Sequence, residues 1–393
     1  ILTKWTKGFS ASGVASQDVG VLLSESLKRK GVSNIELVAV VNDTTGALVS
    51  CAHQYPDCQV SLILGTGSNC SYMESLDNVE LWTADQDGEP KQVIIDTEWG
   101  AFGDDGTIDE YRTNLDKELD NHTPNKGRQR FEKMISGLYL GEVVRLILKQ
   151  LAEHKLIFDG VLSKELQTRS RFETRFISQI EEEAEEKYEI CKQVLQELGI
   201  IEPTIEDCRI IKMVCQVVST RAAWMAAAGL GAVVDKLGMK NTTVGMDGSL
   251  YLKHPTIHDI MRVAINELSP STCVKFVHAE DGSGRGAALN PIDTSLNAID
   301  TSQNSSDTSL NAIDTSQNSS DTLFNAIDTS QNSSDTSLNA IDTLHYPRDT
   351  SLNVIYTSQH PSDTSQNAID TSQNSSDTSQ NAIDASQNSS DAS

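Results

Sequence analysis

Leu37-Val38-Ala39-Val40-Val41-Asn42-Asp43-Thr44-Thr45-Gly46-Ala47 is the stretch that decides the fold. Five consecutive apolar residues read as a buried strand, and the polar residues after them open a helix predicted over residues 44–52. In an open α/β sheet, ligands gather beyond the carboxyl ends of the strands. A carboxylate there, beside an amide, can orient and deprotonate a hydroxyl. The plainer reading is that Asp43 caps the helix that follows.

Further along, Gln59-Val60-Ser61-Leu62-Ile63 reads as a second strand and runs into Leu64-Gly65-Thr66-Gly67-Ser68-Asn69. Cys70-Ser71-Tyr72-Met73 reads as its return. Two glycines around a threonine let the backbone turn tightly and offer N–H groups and a hydroxyl to phosphate oxygens. A hairpin turn accounts for the same residues. Thr97-Glu98-Trp99-Gly100-Ala101-Phe102-Gly103-Asp104 places an acid among aromatics and glycines, which suits a polar ligand; Trp99 and Phe102 could equally fill core. Trp5-Thr6-Lys7-Gly8-Phe9 sets a polar pair between two aromatics.

Helices are predicted over residues 10–30, 131–152, 176–198 and 205–237, and strands over 242–246 and 274–277, with a last helix opening at Gly286. Glu181, Glu182, Glu183, Glu185 and Glu186 read as a solvated face. The stretch Val214–Val234 is the least polar long segment, yet Gln216 and Arg221 interrupt it, so it reads as a buried helix and no membrane span is expected. Alternating strands, glycine turns and helices give a mixed α/β architecture.

The motifs quoted above occur in the same order in the hexokinases, glucokinase included. So do Phe131-Glu132-Lys133-Met134-Ile135-Ser136-Gly137, Phe172-Glu173-Thr174-Arg175-Phe176 and Ser219-Thr220-Arg221-Ala222-Ala223. Val244-Gly245-Met246-Asp247-Gly248-Ser249 and Asp281-Gly282-Ser283-Gly284-Arg285-Gly286-Ala287-Ala288-Leu289 complete the series. Nine motifs in order, from residue 1 to about 289, make the chain resemble the animal hexokinases. The resemblance implies the actin-like ATPase fold, two ribonuclease-H-like domains around a cleft. It divides the chain into a remnant of the small domain (1–42), the large domain mostly present (43–280) and the start of a small-domain helix (281–290). On this reading the small domain is largely missing, and little or no activity is expected of residues 1–393 themselves.

The implied reaction is transfer of the γ-phosphoryl of MgATP to the 6-hydroxyl of glucose or a related hexose, the first step of glycolysis. Such a transfer is mainly positioning and charge stabilisation. By resemblance Asp43 is the catalytic base, kept ionised near a helix N-terminus. The sugar-binding positions fall on Thr6, Lys7, Asn42, Asp43, Asn69, Glu98 and Glu132. The ATP-contacting positions fall on Gly65, Thr66, Gly67, Thr174, Ser178, Gly248 and Ser249. No protein metal ligand is assigned, Mg²⁺ arriving with ATP. Taken singly, Glu132 reads as a surface helix residue, Lys7 as a solvated lysine, and Thr174 and Ser249 as a cap and a turn residue. Two positions depart from the family pattern. Asp96 stands where an Asn is usual, adding a carboxyl two residues from Glu98, which either raises a pKa there or faces solvent. Asn125-Lys126-Gly127 replaces Asn-Pro-Gly.

The formal net charge of the 393 residues is −25. Residues 291–393 hold fourteen Asp and one Arg, so −12 belongs to the rest. That balance argues against nucleic acid or an anionic membrane as partner, but not against ATP, which backbone donors and Mg²⁺ can hold. Seven scattered cysteines without a Cys-x-x-Cys pair fit a reducing, cytoplasmic setting. Association with mitochondria is left undecided. From Asp293 onward the chain repeats every fourteen residues with the consensus Asp-Thr-Ser-Leu-Asn-Ala-Ile-Asp-Thr-Ser-Gln-Asn-Ser-Ser. One or two large apolar residues per copy cannot offset chain entropy, so residues 291–393 are expected to be disordered. Two other readings stand beside an enzyme. A non-catalytic sugar-binding or interaction protein would keep the sugar positions alone. An actin-like filament or regulatory ATPase would have no use for Asn42-Asp43 with Thr97-Glu98-Trp99-Gly100.

Overall fold

The structure is a computed structural model that describes residues 1–2, 7, 11–32, 34–79, 91–183, 187–279, 282–289 and 352–358. In chain order the elements are α1 (Val19–Arg29), β1 (Ile35–Asn42), α2 (Asp43–Gln54), β2 (Cys58–Leu64), β3 (Ser68–Ser75), β4 (Gln92–Asp96), α3 (Asn114–Asn121), α4 (Arg130–Ile135) and α5 (Gly137–Glu153). They continue with α6 (Lys164–Gln167), α7 (Thr174–Glu182), α8 (Glu189–Glu197), α9 (Ile205–Leu237), β5 (Asn241–Asp247), α10 (Ser249–Lys253), α11 (Ile257–Leu268), β6 (Cys273–His278), α12 (Gly282–Leu289) and β7 (Leu352–Ser358).

Five strands form one mixed sheet in the order β4-β3-β2-β5-β6. The β2–β3 and β3–β4 pairs are antiparallel, while β2–β5 and β5–β6 are parallel. This is the ribonuclease-H-like order of the actin-like fold. It brings the carboxyl ends of β2, β4 and β5 to one edge, where β3 begins.

The core lies between this sheet and the helices, and α9 is its spine. A reciprocal capping box starts α9: Asp207 N donates to Thr204 Oγ1 at 3.0 Å, and Thr204 N donates to Asp207 Oδ2 at 2.9 Å. Gly238, left-handed at φ +64°, ends it. Its bounds match the predicted helix. It is long and apolar enough to cross a membrane by length and composition. Its apolar residues nevertheless have a use inside the fold, with Ala222, Ala223, Ala226, Ala227 and Leu230 wholly buried. On the other face of the sheet, Gly46 and Gly286 bring α2 and α12 together. A Cβ at Gly286 would overlap the Gly46 carbonyl, so the two helices meet backbone to backbone.

Several expectations need correcting. The helix foreseen over residues 10–30 starts only at Val19, where Asp18 Oδ1 accepts from Val21 N at 3.0 Å. The single helix over 131–152 is two, α4 and α5, broken at the extended Ser136 (φ −96°, ψ 154°). The break has a tertiary cause: Gly137 N and Leu138 N donate to Gly65 O at 2.8 Å and Thr66 O at 3.1 Å. The helix over 176–198 also divides. Glu183 turns back to accept from Glu189 N and Ile190 N, and Tyr188 adopts φ +51°. Glu181, placed on a solvated face, is buried and accepts from Ser219 Oγ at 2.6 Å and Thr256 Oγ1 at 3.1 Å. Strand β4 was not foreseen.

Strand β1 lies outside the five-stranded sheet and pairs antiparallel with β7, Asn42 opposite Leu352 and Ile35 opposite Ser358. Residues 352–358 of the repeat thus run beside β1 as a strand. They fall in the copy at 349–362, where Val354 and Tyr356 replace the consensus Ala and Asp and raise strand propensity. The rest of the repeat lies outside the described residues, as do Trp5, Thr6, Gly8, Phe9 and Asp281.

Candidate active site

The end of β1 supplies Asn42 and the first residue of α2 supplies Asp43. Asn42 is the cap: its Oδ1 accepts from Thr44 N at 2.8 Å, and its extended backbone (φ −64°, ψ 145°) leads into the helix. Asp43 Oδ1 accepts from the same N–H at 2.8 Å. Capping and site chemistry thus share these two residues, with the cap on the amide and the free carboxyl oxygen on Asp43.

Around them converge β3, β4, the turn after β4, and α4. Asn69, near the start of β3, donates from Nδ2 to Asp96 Oδ1 at 2.6 Å and to Glu98 Oε1 at 3.1 Å. Asn42 Nδ2 also donates to Glu98 Oε1, at 3.2 Å. Glu98 sits in the left-handed region at φ +46°, a conformation a non-glycine residue holds only where its surroundings enforce it. The cause is at hand: Trp99, next in sequence, is buried with Nε1–H on Ser68 Oγ at 3.1 Å and its ring edge-on to Phe131. Trp99 therefore fills core, as the plainer reading had it, and doing so aims Glu98. Phe102 is mostly exposed and rests edge-on against Phe131.

Glu132 lies in α4 and is buried, not on a helix surface. Its Oε2 accepts from Ser68 N at 3.0 Å and lies 3.6 Å from Lys7 Nζ. Its Oε1 is also buried and meets no donor among the described residues. An unpaired buried carboxylate oxygen costs free energy unless a ligand satisfies it.

The electrostatics follow from this crowding of acids. Burial pushes the Asp43 carboxyl up to about 7, with Glu98 and Asp247 adding to the rise and Lys7 and Thr44 N–H opposing it. The carboxyl at this helix N-terminus is thus raised well above the usual range, where an ionised carboxylate had been expected. The helix start is outweighed by loss of water and by like charges. Burial, then Glu98, push Asp96 up to about 7 as well. Burial raises Glu132, against the pull of Lys7 and Ser68 N–H.

The glycine turn at the end of β2 behaves differently from expectation. Gly65 N donates to Gly67 O at 2.9 Å, but neither glycine takes a positive φ. What they supply is room. A Cβ on Gly67 would overlap Lys7 Nζ and sit 2.5 Å from Glu132 Oε2. A Cβ on Gly65 would lie 3.3 Å from both Gly248 Cα and Ser249 N. Gly248 itself has φ +102° and abuts the Leu64 carbonyl. The Gly65–Gly67 turn and the Gly248–Ser249 turn therefore lie side by side at the ends of the adjacent parallel strands β2 and β5. Thr174 Oγ1 donates to Gly137 O at 2.5 Å and accepts from Gly141 N at 2.9 Å, fastening α7 under the helix that grips this turn. Ser178 follows one turn on, half-buried, and Ser249 is exposed.

Sequence reasoning missed the hub of the network. Thr44 is wholly buried; its Oγ1 donates to Asn42 Oδ1 at 2.5 Å and accepts from Ser71 Oγ at 2.7 Å and Asn69 Nδ2 at 3.3 Å. The two-residue period of Asn69 and Ser71 on β3 was the available signal. Asp247, at the end of β5, was quoted within a motif but not singled out, though its charge reaches Asp43. Among the described residues no group of three or more His, Cys, Asp or Glu is placed to hold a metal ion.

Family models described as hexokinase match residues 59–291 and 1–53. Hexokinase-2 of Equus caballus and Hexokinase-1 of Homo sapiens are each 47% identical to this chain over 295 residues, 74% of it. The chain spans 32% of the length of these relatives. Among solved structures, a Schistosoma mansoni hexokinase complexed with glucose superposes with a TM-score of 0.68 at 40% identity, covering 73% of this chain and 64% of that one. A second hexokinase crystal structure gives 0.59 at 30% identity, over 74% and 63%. With fold, site and kinship in agreement, the chain belongs to the hexokinase family.

Proposed function

We propose that this site binds glucose or a related hexose and directs its 6-hydroxyl toward the γ-phosphoryl of MgATP. The observation that carries the reading is the buried Glu132 Oε1, which meets no donor among the described residues, beside Lys7 and within the field of Glu98, which in turn accepts from Asn42 and Asn69. A sugar ring presents hydroxyls that donate and accept on several sides, and this set offers amides, carboxylates and an ammonium from five segments of the chain. The Schistosoma relative is complexed with glucose, which agrees.

Asp43 is the base of the proposed reaction. Its carboxylate accepts the hydroxyl proton as the oxygen attacks phosphorus, and the γ-phosphoryl leaves ADP for that oxygen. A base poised near neutrality is effective because it is available yet still able to take a proton. Lys7 and the cap at Asn42 hold Asp43 and its neighbours in place. The adjoining Gly65–Gly67 and Gly248–Ser249 turns are the proposed phosphate cradle, since only glycines let the two backbones close to this distance. Thr66, Thr174 and Ser178 extend that side, and Mg²⁺ enters with ATP as part of the substrate. Thr6, next to Lys7, belongs to the sugar side by its motif.

The test is calorimetric titration of the full chain with glucose, run beside a coupled assay with MgATP. Heat of binding that disappears in Glu132→Gln supports the sugar site; turnover that disappears in Asp43→Asn supports the base. Glucose binding without turnover would leave the sugar-binding reading and remove catalysis from this chain.

A further inference from the structure

Asp96 ends β4 opposite Ser71 of β3. Its Oδ1 accepts the Asn69 amide at 2.6 Å and lies 3.5 Å from Thr44 Oγ1. Asn69 Nδ2 carries two hydrogens but has three acceptors in reach: Asp96 Oδ1, Glu98 Oε1 at 3.1 Å and Thr44 Oγ1 at 3.3 Å. One acceptor is always short of a hydrogen. The shortest contact belongs to Asp96, so that carboxyl settles how the amide divides its donors. Asn69 Oδ1 is committed elsewhere, to Cys70 N at 2.8 Å, so the amide cannot flip to escape the choice.

We infer that Asp96 is a positioning residue for the hexose site: it holds the Asn69 amide, and gain or loss of its proton redistributes the amide between Asp96 and Glu98. What the amide faces rests on the hexose reading; the coupling of Asp96 to Asn69 rests on the hydrogen bonds alone. An amide side chain at this position would hold Asn69 with no such dependence.

The groups facing Asp96 make the dependence fall in an accessible range. Glu98 follows it in the chain, Asp43 faces it from α2, and the buried Cys70 thiol lies beside it on β3, pushed up by burial and by Asp96 itself. Lys7 acts on Asp43 and Glu132, and Asp247 reaches Asp43 from β5. Burial comes first, then Glu98, in lifting Asp96 to about 7; the Asn69 amide and a backbone N–H pull it back. Sugar hydroxyls donate to carboxylates, which favours the ionised forms. Hexose binding then expels a proton below about pH 7 and weakens as the pH falls.

The experiment has two arms on the full chain. Asn69 side-chain amide resonances are followed from pH 5 to 9 without sugar in selectively labelled protein. Glucose is titrated calorimetrically at pH 6, 7 and 8 in two buffers of different ionisation heat. The expected result is an Asn69 amide that titrates near pH 7, and an affinity roughly tenfold weaker at pH 6 than at pH 8 with proton release. In Asp96→Asn the amide should cease to titrate and the pH slope should shrink to about threefold or less, while binding survives. A purely structural role would weaken binding equally at every pH. An Asn69 amide flat in the unsubstituted chain overturns the inference, whatever the folding of the variant; so does a variant with an unchanged pH slope. A titrating amide with no glucose heat at any pH upholds the coupling and overturns the hexose reading.

Discussion

Burial works to raise the carboxyls of both Asp120 and Asp43, yet the two shift in opposite directions. Asp120, on α3, is buried beside Lys133 Nζ at 2.7 Å, Arg112 Nη2 at 2.9 Å and Gly127 N at 2.9 Å. Burial works to raise its pKa, but these donors outweigh it and hold the carboxyl below its usual range. Asp116 is likewise ion-paired, with Arg221 Nη2 2.7 Å from its Oδ1. Burial lifts Asp43 and Asp96 to about 7, Glu98 adds to both, Asp247 adds at Asp43 and Asp43 adds at Asp96, with Lys7 as the ammonium opposing the rise at Asp43. A compensated acid holds helices together. An under-compensated group of acids is held in place by the fold at a cost in stability, which is what a binding site needs and architecture does not.

Asp43→Asn tests the under-compensated side and should have the largest effect. Whatever turnover the chain supports should fall by about 10²–10⁴-fold, the usual worth of a general base. In the unsubstituted chain, turnover should rise with pH through about 7, as Asp43 ionises, and level off above it. Stability should move the other way. A carboxyl whose folded pKa is raised holds its proton longer in the folded state, so it costs stability progressively from its unfolded pKa up to its folded one. Melting of Asp43→Asn at pH 8 should therefore be no lower than that of the parent. A melting point well below the parent's at pH 8 would put Asp43 among the architectural acids.

Asp120→Ala tests the compensated side. It strands the buried Lys133 ammonium and should cost about 3–5 kcal/mol in chemical unfolding at pH 7. The pH dependence has the opposite sign from Asp43. The contribution of Asp120 is fully present above its unfolded pKa and disappears as the pH falls through its depressed folded pKa. A loss below about 1 kcal/mol would mean that Lys133 finds another partner and that the contrast drawn above is too sharp.

Gly67→Ala probes the boundary between the two. The new methyl would overlap Lys7 Nζ and crowd Glu132 Oε2, so the ammonium must swing away from the acids. Glucose affinity should drop about tenfold, roughly one lost charge-assisted hydrogen bond, with little change in unfolding because Lys7 is not core. Unchanged affinity would take Lys7 out of the sugar site.

How much of this was legible in the sequence depended on how local each cause is. The bounds of α9 were readable because its capping residue Thr204 and terminating Gly238 sit in the chain beside it. The β2–β3 hairpin was readable for the same reason. The break at Ser136 was not, since it is set by hydrogen bonds from Gly137 and Leu138 to the distant Gly65–Thr66 turn. The burial of Glu181 depends on Ser219 and Thr256, again distant in sequence. At the candidate site, residue types and order singled out Asn42, Asp43, Asn69 and Glu98, and the structure brings them together. Periodicity placed Glu132 on a surface, and motif order alone placed it in the site. The raised carboxyl of Asp96 was one of two readings open in the sequence, whereas that of Asp43 was beyond reach, because it is a sum over burial and charges from several elements.

The smallest expected effect concerns the edge of the molecule, where β1 pairs with β7. Strand β1 lies outside the five-stranded sheet, so its partner matters to it more than to the core. Residues 352–358 read Leu-Asn-Val-Ile-Tyr-Thr-Ser, and Val354→Ala with Tyr356→Asp returns them to the repeat consensus. Strand propensities span about 1 kcal/mol, so two such changes should weaken this pairing by roughly 1–2 kcal/mol. Hydrogen exchange of the β1 amides should then quicken by about tenfold, while β2, β3 and β5 keep their protection and the main unfolding transition stays in place. The register carries a further consequence. Asn42 lies opposite Leu352, so the ladder ends at the residue that caps α2 and precedes Asp43. Loosening should begin at the distant Ile35 end and reach the site last, leaving glucose affinity within about twofold. Exchange in β1 that ignores both substitutions would show that backbone pairing holds the tail whatever its side chains. A large loss of affinity would show that the under-compensated acids are held in place by the tail as well as by the sheet.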